Sequence, residues 1–228
     1  MRKYEFTGET KLHFGITLRR IRAAITITFP TGFQIKAGEL GGWIEKESNL
    51  EHNGNAWVYG NARVSGNARV SGNARVYGDA EVSGNARVSG NAEVSGNAWV
   101  YGNAEVYGNA WVYGNAEVYG KAWVSGNAEV SGNAWVSGNA EVSGNAWVSK
   151  RDHLVQIGAI GSRDAFTTFF RTKTGEIKVV CGCFYGTVSE FLAKVEMTHG
   201  DSKHGRVYRL AAALAIAQID LSPVNENN

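Results

Sequence analysis

The chain has 228 residues, with 23 Lys and Arg against 21 Asp and Glu and a net charge of +2. This near-neutral balance does not favour nucleic acid as a partner, because nucleic-acid-binding domains are usually strongly basic. Two cysteines provide no disulfide framework, and no stretch approaches the roughly 18 apolar residues of a membrane-spanning helix, so a cytoplasmic protein with no membrane association is expected.

Residues 1–53 are expected to be β-rich and to cap the N-terminal end of the segment that follows. Residues 25–28 alternate apolar and polar side chains, and residues 30–32 read Pro-Thr-Gly, which is typical of a turn. Ile44 and Leu50 are six residues apart and predict an imperfect first coil over residues 41–53. A small basic cluster is either a phosphate contact or a solvated strand face; it consists of Arg19, Arg20 and Arg22.

Residues 54–149 spell the hexad Gly-Asn-Ala-x-Val-x sixteen times, and only Asp79 and Lys121 replace the Asn. Ala-x-Val-x alternates with the period of a strand, and Gly-Asn forms a corner because both residues enter positive φ at low cost. Three such sides close a coil of 18 residues. The sequence therefore predicts a mainly-β fold: a left-handed parallel β-helix of the hexapeptide type, with Ala and Val inside.

The outward positions support this register. An 18-residue coil stacks oppositely charged residues in neighbouring coils, as in the predicted pairs Arg63–Glu81, Arg75–Glu93 and Arg87–Glu105. From Glu93 onward the outward residue alternates between Glu and Trp, so no Trp stacks on another Trp.

Aromatic residues concentrate in the middle of the repeat. Four consecutive hexads carry Tyr and predict a belt around more than one coil, flanked by Trp; such a belt is either a binding surface or simply a suitable filling for exposed strands. The candidate binding surface consists of Trp99, Tyr101, Tyr107, Trp111, Tyr113, Tyr119 and Trp123.

Residues 150–228 leave the repeat and predict a small α+β module. Residues 153–157, 166–170 and 177–181 resemble three strands. Thr187 and Glu190 form a capping box that opens a helix ending at Gly200, and a second helix is expected at about 203–219, before Pro223. The predicted order is βββαα.

One group of residues in this module has ligand chemistry. Two Cys and two His form a C-x-C…H-x4-H set that suits zinc, although thiols on a strand are more often buried as small apolar groups. The candidate metal ligands are Cys181, Cys183, His199 and His204. No cofactor is expected from the rest of the chain.

Both ends of the chain resemble known proteins. Residues 4–10 and 38–47 are similar to an N-terminal cap, and residues 157–201, with the Cys-Gly-Cys-Phe and Thr-His-Gly-Asp stretches, are similar to a C-terminal module, of hexapeptide-repeat proteins of bacteriophages and prophages. The resemblance implies a phage origin, in an infected or lysogenic bacterium, and the three-part organisation 1–53, 54–149 and 150–228. It supplies no catalytic residues.

These features favour a non-enzymatic binding or scaffold protein. The hexads contain no histidine and no loop insertion, whereas the acyltransferases built on such repeats need both. The expected partner is a host or phage protein, with interference in a host or defence function as one use, and self-association is expected. Two alternatives stay open: a virion spike, fibre or decoration protein, and a small-molecule-binding or acyltransferase-like protein that acts between protomers.

Overall fold

The computed structural model describes residues 2–222 and shows a mainly-β chain. A parallel β-solenoid of about six turns forms the centre, an antiparallel hairpin extends one of its sheets at the N-terminal end, and a four-stranded sheet with two helices covers the C-terminal end. The N-terminal strands are β1 Tyr4–His13, β2 Ile16–Ala23, β3 Ile27–Thr28, β4 Gln34–Ile35 and β5 Leu40–Ile44.

Sixteen two-residue strands, β6–β21, form the solenoid. They are Trp57–Val58, Arg63–Val64, Arg69–Val70, Arg75–Val76, Glu81–Val82, Arg87–Val88, Glu93–Val94, Trp99–Val100, Glu105–Val106, Trp111–Val112, Glu117–Val118, Trp123–Val124, Glu129–Val130, Trp135–Val136, Glu141–Val142 and Trp147–Val148. Each strand from β6 to β18 pairs in parallel with the strand three positions later, so that Val82, for example, lies beside Val64 and Val100. The predicted 18-residue coil is confirmed.

The strands form three sheets, which we call face 1, face 2 and face 3. Face 1 contains β7, β10, β13, β16 and β19 and is continued by β5, β2 and β1; face 2 contains β8, β11, β14, β17 and β20; face 3 contains β6, β9, β12, β15, β18 and β21. Because the chain visits the three faces in turn, a residue and its partner 18 positions later always share a face.

The interior is a column of valines and alanines. Every Ala and Val of the hexad motif is fully buried, from Ala56 and Val58 to Ala146 and Val148. Neighbouring coils are joined by backbone hydrogen bonds that recur at each level, for example from the Arg69 amide to the Ala86 carbonyl at 2.9 Å. The same residues are therefore stabilised both by apolar burial and by a continuous ladder of backbone hydrogen bonds.

The corners require glycine for two reasons. Gly102 has φ +72°, and a Cβ added there would lie 3.0 Å from the backbone nitrogen of Gly120 in the next coil. Side chains rarely adopt this backbone conformation, and the stacked corner leaves no room for one.

The N-terminal segment joins the solenoid with a two-residue offset. β1 and β2 form an antiparallel hairpin, and β2 pairs with β5, which lies parallel to β7. Ile44 pairs with Val64, and Leu50 bridges to Val70, each 20 residues apart rather than 18. Both side chains are fully buried, so they extend the valine columns into an irregular first coil.

Side chains satisfy the open edge of the first coil. The carbonyl of Ala56 accepts a hydrogen bond from the buried Lys3 ammonium at 2.8 Å, and the carbonyl of Ala68 accepts one from the Asn49 amide at 2.9 Å. An unpaired β-edge would invite association with other strands, and these donors remove part of that edge.

The C-terminal module contains four strands rather than the three expected. They are β22 Leu154–Ile160, β23 Ala165–Arg171, β24 Ile177–Cys181 and β25 Phe184–Thr187, in an antiparallel sheet of that order. The additional strand follows Gly182, whose φ of +60° allows a tight hairpin turn. The order is therefore ββββαα, which corrects the predicted βββαα.

The two helices are α1 Val188–His199 and α2 Lys203–Gln218. The predicted capping box is confirmed, because Thr187 accepts a hydrogen bond from the Glu190 amide while the Glu190 carboxylate accepts one from the Thr187 amide. The stop expected at Pro223 lies outside the described residues.

The sheet of this module lies between the solenoid and the helices. Phe170 and Val180 join the solenoid core, whereas Phe169 and Val179 pack in a second core with the helices. The sheet thus covers the last coil with one face and supports α1 and α2 with the other.

Candidate functional site: the outer surface of the solenoid

The outward positions form columns of charged residues as predicted. The three expected ion pairs are Arg63–Glu81, Arg75–Glu93 and Arg87–Glu105. Between Arg63 Nε and Glu81 Oε1 the distance is 3.1 Å, and both side chains are less than one-fifth exposed. The Arg87–Glu105 pair is longer, at 3.7 Å, and more exposed, so the first pair should contribute more to stability.

Tryptophan and glutamate alternate along the later coils, and the prediction that no Trp stacks on another is confirmed. Trp99 lies between Glu81 and Glu117 on face 1, and Trp123 lies between Glu105 and Glu141 on face 2. Four tryptophans remain 39–47% exposed although each is flanked by neighbours; they are Trp99, Trp111, Trp123 and Trp135. Large apolar side chains are thus presented on all three faces.

The tyrosine belt winds around the solenoid and does not gather into one patch. Tyr101 and Tyr119 stack at one corner, with ring centroids 5.0 Å apart, whereas Tyr107 and Tyr113 follow strands of face 2 and face 3. The Tyr101 hydroxyl donates to Glu117 at 3.2 Å. Burial, together with this carboxylate, raises the pKa of Tyr101 to about 12, so the phenol stays a hydrogen-bond donor at neutral pH.

Asparagine ladders run along the corners and were not expected from the sequence analysis. The Asn73 side-chain amide donates to Asn91 at 3.0 Å, and the same bond recurs in neighbouring coils. One uninterrupted column consists of Asn55, Asn73, Asn91, Asn109 and Asn127. The two exceptions to the motif, Asp79 and Lys121, fall in the other two columns. The 18-residue spacing of Asn was the signal that would have revealed the ladders.

Trp57 is an exception among the outward residues. Although its position in the hexad points away from the interior, its side chain is fully buried. A Cβ added at Gly41 would lie 2.8 Å from Trp57 Cζ2, which shows how closely β5 approaches the indole. The expectation that outward aromatics face solvent is therefore wrong at the first hexad, where the N-terminal segment covers them.

The basic residues of β2 do not form a free cluster. Arg20 donates to Glu9 at 3.2 Å, and Arg22 donates to Glu5 at 2.5 Å. The third residue, Arg19, stacks on the ring of Phe6, with its guanidinium carbon 5.4 Å from the ring centroid. These contacts give the phosphate-binding hypothesis no support.

The four candidate metal ligands are not gathered into a ligand set. Within residues 2–222 no group of three or more His, Cys, Asp or Glu side chains is placed to hold a metal ion. Cys181 is half-buried and accepts a hydrogen bond from Thr167, while Cys183 is exposed. The rings of His199 and His204 are 6.0 Å apart.

The fold places a histidine of the N-terminal hairpin on the surface of the solenoid. His13, at the end of β1, pairs with the carboxylate of Glu81 on face 1. Together with Phe14, Trp99 and Tyr101 they line a groove of about 320 Å³ between the hairpin and the solenoid. The sequence analysis missed this site, because the position of the β1–β2 turn over face 1 depends on tertiary contacts.

Part of the repeat is similar to a known solenoid family. The family model of the YdcK Beta solenoid repeat matches residues 56–72, 68–84, 80–96, 86–102 and 98–114. These windows span about a quarter of the chain and lie within the solenoid described above. No curated protein matches the chain. Within residues 2–222, no helix is long and apolar enough to cross a membrane.

Proposed function

We propose that this protein is a non-enzymatic binding or scaffold protein that recognises a partner protein through the outer surface of its solenoid and its C-terminal module. The observation that carries the proposal is the set of four exposed tryptophans on a shaft whose interior is completely filled by Val and Ala. Trp is enriched in the centres of protein interfaces, where it supplies large rigid contact area.

The solenoid suits this role because hydrogen bonds between neighbouring coils fix its backbone. The Trp99 amide donates to the Ala116 carbonyl in the next coil at 2.9 Å, and the carbonyl of the preceding Ala98 accepts from the Glu81 amide in the previous coil at 2.9 Å. A rigid aromatic side chain loses little conformational entropy on binding.

The test is capture of a partner from bacterial lysate with the full chain and with two variants. In the first variant Trp99, Trp111, Trp123 and Trp135 are changed to Ser; in the matched control Glu105, Glu117, Glu129 and Glu141 are changed to Gln. The proposal expects the Trp variant to lose the partner and the Glu variant to keep it. Equal capture by all three proteins, at equal melting temperature, would refute it.

Self-association is part of the proposal, and α2 supplies its surface. Leu210 and Leu214 are exposed and lie on one side of the helix with Ala213 and Ala217. The occupant we propose is α2 of a second copy in antiparallel orientation, in which the exposed leucines and alanines of the two helices cover one another.

Light scattering tests this contact. Leu210→Glu combined with Leu214→Glu should convert a dimer into a monomer. Met197→Glu is the control, because Met197 is also an exposed apolar residue but lies on α1. A wild-type chain that is monomeric at micromolar concentration, or a dimer that survives the double substitution, would contradict the contact.

The handedness of the solenoid, its repeat type and the origin of the protein are also part of this proposal. We infer left-handed closure of the hexapeptide type, and an origin in a bacteriophage or prophage with a cytoplasmic location in the bacterial host. Support comes from the small-x-aliphatic hexad, the regular 18-residue coil and the resemblance of both ends of the chain to phage proteins. An experimental structure decides the handedness, and fractionation of an infected culture decides the location.

The His13 groove favours small-molecule binding as a second candidate function. An imidazole paired with a carboxylate, next to three aromatic residues, is equipped to bind or activate a polar ligand. A thermal-shift screen with coenzyme A and nucleotides tests it, since a ligand that binds the folded chain raises its melting temperature. The rise should disappear in His13→Gln; no rise with any compound would dismiss this candidate.

A further inference from the structure

A groove of about 190 Å³ lies in the C-terminal module, away from the solenoid surface. Four elements converge on it: the 3₁₀ turn Gly161–Arg163, the turn between β24 and β25, α1 and α2. Three of the four residues that the sequence analysis considered as metal ligands line it, namely Cys181, Cys183 and His199.

The groove is lined by cationic and hydrogen-bonding groups. Arg163, in the 3₁₀ turn, and Lys194, in α1, both line it, and none of the described residues that line it is acidic. The Arg163 guanidinium lies beside the β24–β25 turn, 3.5 Å from the position that a Cβ on Gly182 would occupy. Within residues 2–222 the ion pairs of this module involve Lys150, Lys173 and Arg209, so neither cation of the groove is neutralised by an ion pair.

Three acidic residues of α1 and of the turn after it are engaged elsewhere, and Asp164, which follows Arg163, is exposed and does not line the groove. The Glu190 carboxylate accepts hydrogen bonds from the amide and hydroxyl of Thr187 at the start of α1. Glu196 and Asp201 both pair with Arg209. The positive charge of the groove is therefore not offset from its own walls.

The floor of the groove is aromatic. Phe191 contacts Phe184 and Tyr208, with ring centroids 5.5 and 5.6 Å apart. The Tyr208 hydroxyl lies against Gly161, where any Cβ would overlap it, and 4.0 Å from Cys181 Sγ. Burial raises the pKa of Tyr208, with a further contribution from Cys181, so this phenol remains a donor at neutral pH.

We propose that this groove binds a small organic anion: a carboxylate or phosphate group held by Arg163 and Lys194, attached to a flat apolar group that packs on the partly exposed Phe184. Guanidinium and ammonium groups are the preferred partners of such anions, and a few convergent polar groups over an apolar floor are typical of ligand sites. The volume is below the range of about 300–1,000 Å³ for drug-sized ligands, which limits the occupant to roughly the size of benzoate or phenyl phosphate. None of the residues that line this groove is among the exposed tryptophans or the α2 leucines on which the proposed function rests, so the two proposals can fail separately.

Cys183 provides a reporter for occupancy, because it is exposed and lines the groove. The experiment measures its alkylation rate by iodoacetamide, with the site identified by mass spectrometry, in the full chain. Benzoate and phenyl phosphate should slow the reaction several-fold at saturation, with Kd values of around 1 mM. Benzamide, which has the same shape as benzoate but no charge, should leave the rate unchanged.

Two variants test the cations, and calorimetry measures their Kd for phenyl phosphate without relying on the thiol. Lys194→Gln and Arg163→Gln should each weaken binding about tenfold, because each removes a charged hydrogen-bond donor. Lys203→Gln is the control, since Lys203 lies on α2 outside the groove and should leave the Kd within about twofold.

Three results would overturn the proposal. They are protection of Cys183 by benzamide as strong as by benzoate, a Kd that is unchanged in both groove variants, and no protection by either anion at about 20 mM. Both substitutions are at exposed positions, and equal melting temperatures of the variants and the wild type would show that lost binding is not lost folding.

Discussion

The inward and outward positions of the solenoid differ in how much variety they tolerate. Inside, all sixteen hexads carry the same Ala and Val, and all of these side chains are fully buried. Outside, positions with the same backbone geometry carry Arg, Glu or Trp at the start of the strand and Ser or Tyr after it. The interior thus specifies the fold, and whatever the protein recognises must be encoded outside.

The difference follows from packing. An interior column accepts only one volume at each level, because a larger side chain would separate two coils and a smaller one would leave a cavity between them. An outward side chain meets its neighbours only along its column, at Cβ separations where different partners are accommodated. Substitutions at the two kinds of position should therefore have effects of very different size.

The largest contrast is expected within one strand, β14. Val106→Asn places an unpaired amide in the filled interior and should cost about 3–5 kcal/mol, enough to unfold the neighbouring coils. Glu105→Gln, one residue earlier and outward, should change stability by less than about 1 kcal/mol. Chemical denaturation followed by circular dichroism measures both. Similar losses of stability in the two variants would contradict the proposed difference between inward and outward positions.

The corners should show a graded effect. Gly102→Ala combines a positive φ with a Cβ 3.0 Å from the next coil, and we expect a loss of about 2–3 kcal/mol. Gly60→Ala is the matched control, because its φ is +55° but the nearest atom to an added Cβ is 3.9 Å away. It should lose only about 1 kcal/mol. If both variants melt at the same temperature, crowding between stacked corners is not the reason for glycine.

Lys3→Met should remove the donor that satisfies the Ala56 carbonyl at the edge of the first coil. The expected loss is about 1–3 kcal/mol at neutral pH, as for other buried carbonyls that lose their partner. Lys36→Met, at an exposed lysine of the same segment, is the control and should be neutral.

The pH dependence of this variant is a separate test. Burial lowers the pKa of Lys3 from 10.5 to about 8. Between these two values the unfolded chain retains a proton that the folded chain has released, so the contribution of Lys3 to stability rises with pH across this window. Denaturation midpoints measured from pH 7.5 to 10 should therefore rise more in the wild type than in Lys3→Met. Parallel profiles would show that the ammonium is not desolvated.

The smallest effects are expected for the outward ion pairs. A double-mutant cycle on Arg63 and Glu81 should give a coupling of up to about 1 kcal/mol, whereas the more exposed Arg87–Glu105 pair should give close to zero. The variants are Arg→Gln and Glu→Gln at each pair, and the measurement is the denaturation midpoint at low and high salt. Equal coupling in the two cycles would mean that burial does not distinguish them.

Much of the solenoid was predictable because its period is short and strict. The 18-residue coil, the buried Ala and Val, the three ion pairs and the separation of the tryptophans all follow from the spacing in the sequence. The burial of Trp57 does not follow from this spacing, because it depends on Gly41 and β5, which belong to a segment without the repeat.

The C-terminal module and the grooves were much less predictable. β25 is only four residues long, and its turn at Gly182 lies within Cys-Gly-Cys, a spacing that suggests metal ligands rather than a hairpin. His13 reaches Glu81 across 68 positions, and Arg163 approaches Lys194 only because β23, β24 and α1 fold together. Spacing in a sequence reveals contacts that repeat, whereas contacts made once require the tertiary structure.

The most direct test of the account is hydroxyl-radical footprinting of the tryptophans with and without a captured partner. In the free protein Trp99, Trp111, Trp123 and Trp135 should oxidise readily and the buried Trp57 should not, which gives an internal standard. The account predicts that the partner protects at least one of the four exposed indoles and leaves Trp57 unchanged. Equal oxidation of all four with and without the partner would contradict outward recognition, and ready oxidation of Trp57 would contradict the fold itself.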